Sequence, residues 1–284
     1  MKPIWLLPLL LASAQDPPPT FRVTARLVEV YAMVLDKHDR RVGDLKEQQF
    51  EILDGGRAQK IEKFESSGGG LSLVIVLDTT GSMKEAMPTV KNAIGRLIDE
   101  LREEDSVSIY GFAEGLEKLQ GFTQDKRAAK LAVRRTRAQG RTALFDALAR
   151  VSQDLTSRPG KKAIVVFTDG DDNSSVLNLD SAVNRAKKTG VPIYAVAQGD
   201  ALKASKLMKT IDTLAEKTGG QLFRAHNSSQ VDEIFKAIAS DIKSTYLLAY
   251  YPPTTGTGEW RPIRVSVKGT KDYRVRCKEG YFAD

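Results

Sequence analysis

Hydrophobic and polar positions change their periodicity along the chain. From Leu71 to Ile242, short apolar runs alternate with longer segments in which apolar residues recur at every third or fourth position. The short runs predict buried strands, and the longer segments predict helices with one apolar face. This strand and helix alternation predicts an α/β fold, with a doubly wound, mostly parallel sheet that is covered by helices on both sides.

The predicted elements of this region follow one another closely. Strands are expected at 71–77, 106–112, 116–122, 163–167, 192–197 and 221–225, and helices at 90–101, 125–134, 143–155, 179–188, 206–217 and 231–242.

Both flanking regions, 21–66 and 244–284, show strand patterns without helical periodicity. Residues 21–35 predict one long strand, and Asp54-Gly55-Gly56 is typical of a tight turn between two short strands. Further strands are expected at 245–251, 261–267 and 273–277. We expect the two flanks to pair into a smaller β-sandwich-like subdomain beside the α/β domain at 71–243.

The first residues have the order of a secretory signal peptide. Lys2 precedes a short apolar segment, which ends in Ala12-Ser13-Ala14. The apolar part is shorter than the roughly 20 residues that span a bilayer, so we expect cleavage after Ala14 and no membrane span thereafter. Residues 15–20, rich in proline, are expected to form an extended tether. The sequence therefore predicts an exported protein, either periplasmic or extracellular.

Oxygen-bearing side chains follow two of the predicted strands. Asp78, Thr80 and Ser82 come directly after the strand at 71–77, and Asp169 comes shortly after the strand at 163–167. Ligands of doubly wound sheets bind beyond the carboxyl ends of the strands, which places these residues on a common rim. Several hard oxygens in a small space suit a cation of the size of Mg²⁺.

Three segments carry a family resemblance. Asp78-Thr79-Thr80-Gly81-Ser82 resembles the D-x-S-x-S signature of von Willebrand factor type A domains, with Thr80 where that pattern usually has Ser. A threonine hydroxyl offers the same ligand atom. Residues 140–148 resemble the loop and helix that carry the family's metal-binding threonine, here Thr142, and residues 164–170 resemble the strand that ends in its second aspartate, Asp169.

The resemblance extends over roughly 71–242 and implies the Rossmann-like fold of this family. The flanking segments Asp54-Gly55-Gly56 and Ala249-Tyr250-Tyr251-Pro252 also resemble a bacterial group of exported von Willebrand factor A-related proteins.

A metal-ion-dependent adhesion site is implied by the same resemblance. Its residues would be Asp78, Thr80, Ser82, Thr142 and Asp169, and its ion Mg²⁺, with Mn²⁺ or Ca²⁺ as alternatives. Thr80 and Ser82 would contact the ion directly, Asp78 and Asp169 through water, and Thr142 in either way. An acidic side chain of a protein partner would fill the remaining coordination position. The expected function is therefore metal-dependent protein binding of the adhesion type.

Two other functions remain open at this point. The chain could be a structural component of an envelope or surface assembly with a vestigial metal site, because a fold alone does not fix a function. It could also, with less support, be a phosphoryl-transfer enzyme with Asp78 at its centre. Such enzymes usually have a second acid where this chain has Thr80, and neither a G-x-x-x-x-G-K loop nor a G-x-S-x-G motif with a histidine partner is present. We therefore expect no catalytic residues.

Composition excludes other classes of function. The formal charge of +7 is spread among interleaved acidic and basic residues without an aromatic-studded basic module, so nucleic-acid binding is not expected. Two distant histidines give no zinc site. The single cysteine, Cys277, cannot form an internal disulfide and alternates with Tyr273 and Val275 as a buried packing residue would.

Four arginines precede or flank Thr142: Arg134, Arg135, Arg137 and Arg141. They could steer an acidic partner toward the metal, or they could form ordinary solvated surface. The acidic run at 171–173 is expected to be a solvated loop. The sequence leaves the oligomeric state open.

Overall fold

The computed structural model describes residues 27–66, 70–138, 143–169, 175–177, 179–253, 257–270 and 272–283. The predicted signal peptide, the tether and the first part of the predicted strand at 21–35 lie outside these ranges, as do Arg141, Thr142 and the acidic run at 171–173. Among the described residues, none of the helices has both the length and the apolarity that a membrane crossing requires.

Strands and helices follow the predicted order. The strands are β1 (Val28–Leu35), β2 (Phe50–Asp54), β3 (Arg57–Gln59), β4 (Lys63–Glu65), β5 (Leu71–Asp78), β6 (Ser106–Phe112), β7 (Leu116–Thr123), β8 (Lys161–Thr168), β9 (Ile193–Gln198), β10 (Gln221–Ala225), β11 (Tyr246–Tyr250), β12 (Trp260–Val267), β13 (Arg274–Arg276) and β14 (Gly280–Phe282). The helices are α1 (Met87–Asp99), α2 (Lys126–Arg135), α3 (Leu144–Asp154), α4 (Leu179–Thr189), α5 (Ser205–Thr218) and α6 (Ser228–Ser244).

A six-stranded sheet in the order β10-β9-β8-β5-β6-β7 forms the centre of the α/β domain. Its strands run parallel except for β7, which is antiparallel to β6. The three residues between β6 and β7 are too few for the crossover that a parallel connection needs, so these strands form a hairpin. The predicted α/β class and mostly parallel sheet are confirmed.

Both faces of the sheet are covered by helices because its central strands are apolar on both sides. Along β5, Leu73 and Ile75 face the layer of α1, α2 and α6, whereas Val74 and Val76 face the layer of α3, α4 and α5. All eight residues of β5 are buried. Each such aliphatic side chain contributes about 1.5–3 kcal/mol through burial, which fixes the position of the strand end that carries Asp78.

The flanking regions form two further four-stranded sheets, β13-β1-β11-β4 and β14-β12-β2-β3. Each contains strands from both ends of the chain, since β1 pairs with β11 and β2 pairs with β12 in antiparallel register. The two sheets share one apolar core. The predicted pairing of the flanks into a β-sandwich-like unit is thus observed, whereas the short strands β3 and β14 were not predicted.

Cys277 follows β13 and is half-buried against the core of this β-sandwich. Burial raises the pKa of its thiol to about 11, so the neutral thiol prevails near neutral pH. This environment suits a packing residue better than a reactive one.

The β-sandwich contacts the α/β domain at the beginning of β8. Lys162 forms an ion pair with Glu29 of β1, and the hydroxyl of Tyr31 shares its one proton between Glu29 at 3.0 Å and the carbonyl of Gly160 at 3.2 Å. Arg276 of β13 pairs with Asp241 of α6 at 2.6 Å. Because β8 runs from this junction toward Asp169, the β-sandwich lies at the opposite end of the sheet from the predicted metal site.

Candidate metal centre

The pairing of β5 with β8 brings the predicted site residues together. These neighbouring parallel strands are in register from Leu71 opposite Lys161 to Leu77 opposite Phe167. Their carboxyl ends therefore reach the same edge of the sheet, where Asp78 ends β5 and Asp169 directly follows β8. Residues that are far apart in sequence become neighbours because their strands pair.

Asp78 is fully buried and held by several hydrogen bonds. Its Oδ1 accepts a 2.9 Å bond from the backbone N–H of Thr80, and its Oδ2 accepts a 2.7 Å bond from the hydroxyl of Thr168. Burial raises the pKa of the Asp78 carboxyl above its ordinary value, against the opposing effect of hydrogen bonds from Thr80, Thr168 and the backbone of Asp169. These bonds fix the orientation of the carboxylate.

Three further oxygens form a chain beside Asp78. The hydroxyls of Thr80 and Ser82 lie 3.0 Å apart, and Ser82 Oγ donates a 2.8 Å hydrogen bond to Asp169 Oδ1. The Thr80 hydroxyl is also a side-chain donor to the Asp78 carboxylate, so it connects Asp78 with Ser82. Thr80 and Asp169 are buried and Ser82 is exposed, so the chain of oxygens reaches the surface at Ser82.

The backbone on both sides of this site is anchored. Thr79 donates to the carbonyl of Phe112 through its N–H at 2.8 Å and through its hydroxyl at 2.9 Å. A 3₁₀ turn at Gly81–Lys84 then inserts the buried Met83 into the core. On the other side, Ala201 N–H donates a 2.9 Å bond to the carbonyl of Asp169. These contacts hold the site oxygens on a rigid part of the fold.

Thr142, the fifth predicted residue, lies outside the described residues. Its neighbour Ala143 donates a 3.0 Å bond from its N–H to the carbonyl of Ala113, in the turn after β6. Asp78, Thr80, Ser82 and Asp169 are the predicted site residues that the structure brings together.

Two supporting residues were not predicted from the sequence. Thr168 orients Asp78, and a polar residue directly after the apolar run 163–167 was a signal that could have identified it. Asp146 accepts bonds from the N–H groups of Val176 at 2.8 Å and Leu177 at 3.0 Å, which holds these two residues against α3. An acid in the first turn of a helix is common, so Asp146 gave no distinctive signal.

The donor set fits a hard cation. Among the described residues, no group of three or more His, Cys, Asp or Glu side chains could hold a metal, so a centre here depends on hydroxyl as well as carboxylate oxygens. Oxygen ligands suit Mg²⁺, and neighbouring oxygens of an octahedral Mg²⁺ ion are about 2.9 Å apart. The 3.0 Å separation between the hydroxyls of Thr80 and Ser82 agrees with that spacing.

Solved structures of von Willebrand factor type A proteins have a similar fold. The von Willebrand factor type A protein from Catenulispora acidiphila superposes with a TM-score of 0.55 at 15% identity, over 93% of this chain and 65% of that chain. The vWF domain of the type V pili tip protein Mfa5 from Porphyromonas gingivalis gives a TM-score of 0.51 at 12% identity, over 61% and 95%. At these identities the likeness shows the fold alone.

Sequence comparison adds a relative and a family. An uncharacterized protein of Synechocystis sp. is 28% identical over 220 residues, which cover 72% of this chain and 51% of that protein. The chain thus spans about half the length of this relative. The sequence profile of the von Willebrand factor type A domain matches residues 72–237, more than half of the chain. The match includes all five predicted site residues, and the chain belongs to the von Willebrand factor type A domain family.

Proposed function

We propose that this chain is an exported protein-binding module that holds a Mg²⁺-type ion at the edge of β5 and β8 and captures a carboxylate of a partner protein. Domains of this family are typically protein-interaction modules, and one structural relative is a pilus tip protein. The observation that carries the proposal is the continuous chain of oxygens from Thr80 through Ser82 to Asp169.

The hydroxyl and carboxylate residues of the site have different roles. Thr80 and Ser82 offer neutral hydroxyl oxygens, whereas Asp78 and Asp169 supply negative charge from fixed positions. The ion, when bound, supplies positive charge and a coordination position for an incoming carboxylate. Exposure of Ser82 leaves that side of the site open to a macromolecule.

Basic residues near the site support the steering of an acidic partner. Arg135 and Arg137 are exposed and line a groove of about 560 Å³ together with Thr79, the residue next to Thr80. Positive charge around a binding site raises the rate at which acidic partners arrive. We propose that these arginines guide the partner toward the ion.

Mg²⁺ binding after chelation tests the metal part of the proposal. The wild type should bind Mg²⁺ in calorimetry and gain thermal stability, because ligands that bind only the folded state stabilise it. Ser82→Ala should lose Mg²⁺ binding. The control Ser205→Ala, at an exposed position of α5, should bind Mg²⁺ as the wild type does. Absence of both effects in the wild type would favour an assembly component with a vestigial site.

Partner capture and export need separate tests. Pull-downs from envelope and culture fractions should retain a protein with Mg²⁺ and lose it with chelator, and Ser82→Ala should retain none.

Mass spectrometry of the protein recovered from cells should show a mature chain that begins at Gln15. Hydrolysis of a generic phosphoester that Asp78→Ala abolishes would instead support an enzyme.

A further inference from the structure

A cavity of about 260 Å³ lies between the α/β domain and the β-sandwich, where basic side chains outnumber acidic ones. Its charged lining residues are Arg158, Lys162, Lys188, Lys278 and Glu29. Glu29 already accepts a hydrogen bond from Tyr31 and forms an ion pair with Lys162. The single acid is therefore matched by one lysine, and three cations remain.

None of these three cations has a carboxylate partner among the described residues. Arg158 donates to the hydroxyls of Ser72 at 3.2 Å and Ser106 at 3.1 Å, and its guanidinium lies 4.4 Å from the ring centre of Phe122, so these partners are all neutral groups. The Lys188 ammonium lies 5.4 Å from the ring centre of Phe282. The side chain of Lys278 makes no hydrogen bond or ion pair with any other described residue.

Lys278 is the most unusual of the three because it is only 6% exposed. Its ammonium lies against Gly190, where an added Cβ would come within 2.7 Å of Nζ, and Gly190 also has a φ of +64°. Burial lowers the pKa of Lys278 to about 8, and nearby Glu29 opposes this effect only in part. Burying an ammonium without a partner lowers the stability of the fold. The presence of Lys278 at this position therefore indicates a role other than stabilisation.

The Lys278 ammonium lies near the carboxyl end of α4, where a cation can have a structural role. Gly190 follows α4, and a cation at the carboxyl end of a helix interacts favourably with the helix dipole. However, no carbonyl of the described residues accepts a hydrogen bond from the Lys278 ammonium. The same dipole favours Lys188, which lies in the last turn of α4, but it leaves the charge of Arg158 without an explanation.

We infer that this cavity binds a phosphate group, either inorganic phosphate or that of a small phosphomonoester. Three cations without acidic partners suit a ligand with more than one negative charge, and lysine ammonium groups bind phosphate as point charges. Tyr281, Phe282 and Pro252 also line the cavity and provide an apolar surface for a small organic group.

The inferred site is independent of the metal centre. Lys162 is the second residue of β8 and Asp169 directly follows that strand, so the two sites are roughly 23 Å apart at about 3.3 Å per strand residue. Phosphate binding can therefore be measured with chelator present, and failure of one proposal leaves the other intact.

Calorimetry and thermal unfolding with chelator present test the inference. The probes are inorganic phosphate and glycerol 3-phosphate, with acetate as the singly charged comparison. The wild type should bind at least one phosphate probe saturably at one site and should not bind acetate measurably. Lys278→Met and Lys188→Met should each weaken binding by about tenfold or more, as expected for a lost charge-assisted hydrogen bond. Lys206→Met, at an exposed position of α5 outside the cavity, should leave it unchanged.

The two phosphate probes distinguish the sources of the ligand. Tighter binding of glycerol 3-phosphate would identify a phosphomonoester, and equal binding would identify phosphate itself. Lys188→Met keeps the test valid should Lys278→Met fail to fold, because Lys188 is exposed. The inference is overturned if neither probe binds the wild type saturably, or if both cavity variants bind as the control does.

Discussion

Ser82 Oγ donates a 2.8 Å hydrogen bond to Asp169 Oδ1 across 87 positions of sequence. The bond exists because β5 and β8 are neighbours in the sheet and end at the same edge. It joins the two loops that the family resemblance assigns to one metal site. Strand pairing brings the two strand ends together, and the 3₁₀ turn at Gly81–Lys84 places Ser82 beside Asp169.

Thr168→Val tests the support given to Asp78. The substitution removes the 2.7 Å hydrogen bond to a fully buried carboxylate, so the free energy of unfolding should fall by about 1–3 kcal/mol. Denaturant unfolding measures this change. Thr213→Val, at a half-buried position on α5, is the matched control and should change stability little. Equal stability of the two variants would show that Asp78 does not depend on Thr168.

Asp54→Ala tests the charged centre of the β-sandwich. Asp54 is fully buried and accepts bonds from the hydroxyls of Tyr250 at 2.9 Å and Tyr281 at 2.7 Å and from Nε of Arg261 at 2.7 Å. Removing one partner of a buried ion pair costs about 3–5 kcal/mol, which denaturant unfolding would detect. Asp272→Ala, at an exposed position, should be nearly neutral. A loss below 1 kcal/mol for Asp54→Ala would contradict this reading.

Some features of this structure can be predicted from the sequence, and others cannot. The apolar run before Asp78 predicted a central buried strand, because hydrophobic periodicity is a local property of the chain. Asp54 looked like an ordinary turn residue, and its burial depends on Tyr250 and Tyr281, which lie far along the chain. Likewise, Lys278 is buried because the backbone of its segment packs against Gly219 and its side chain against Gly190, contacts with no local signature.

Lys278→Met should change how stability depends on pH. Burial lowers the pKa of Lys278 from 10.5 to about 8, so the unfolded chain binds more protons between these values and wild-type stability rises with pH across that interval. Glu29, Lys162, Lys188 and Arg158 surround the group and are unchanged in the variant. In phosphate-free buffer below pH 8, the variant should be more stable by about 1–3 kcal/mol.

Denaturant unfolding of both proteins from pH 7 to pH 10 measures this difference. The stability advantage of Lys278→Met should shrink as pH rises and the wild-type ammonium loses its proton. An advantage that is constant over the range, or a variant that is less stable at pH 7, would show that burial of the charge carries no such cost.

Replacing Arg135 and Arg137 by Gln should slow partner association. At low salt the loss of two positive charges should reduce the association rate severalfold, and the difference should fade as salt screens the charges. Surface plasmon resonance with the captured partner at two ionic strengths measures both effects. Arg185→Gln, at an exposed position of α4, is the charge-matched control. Association rates that do not respond to salt would exclude steering.

Calorimetric titration of chelated protein with Mg²⁺, wild type against Ser82→Ala, tests the central claim most directly. Ser82 is exposed and its hydroxyl connects Thr80 to Asp169, so the variant should fold normally and lose the ion. We predict saturable binding of one Mg²⁺ ion by the wild type and by Ser205→Ala, and none by Ser82→Ala. Equal Mg²⁺ binding by Ser82→Ala and the wild type would contradict a metal centre at this edge of the sheet.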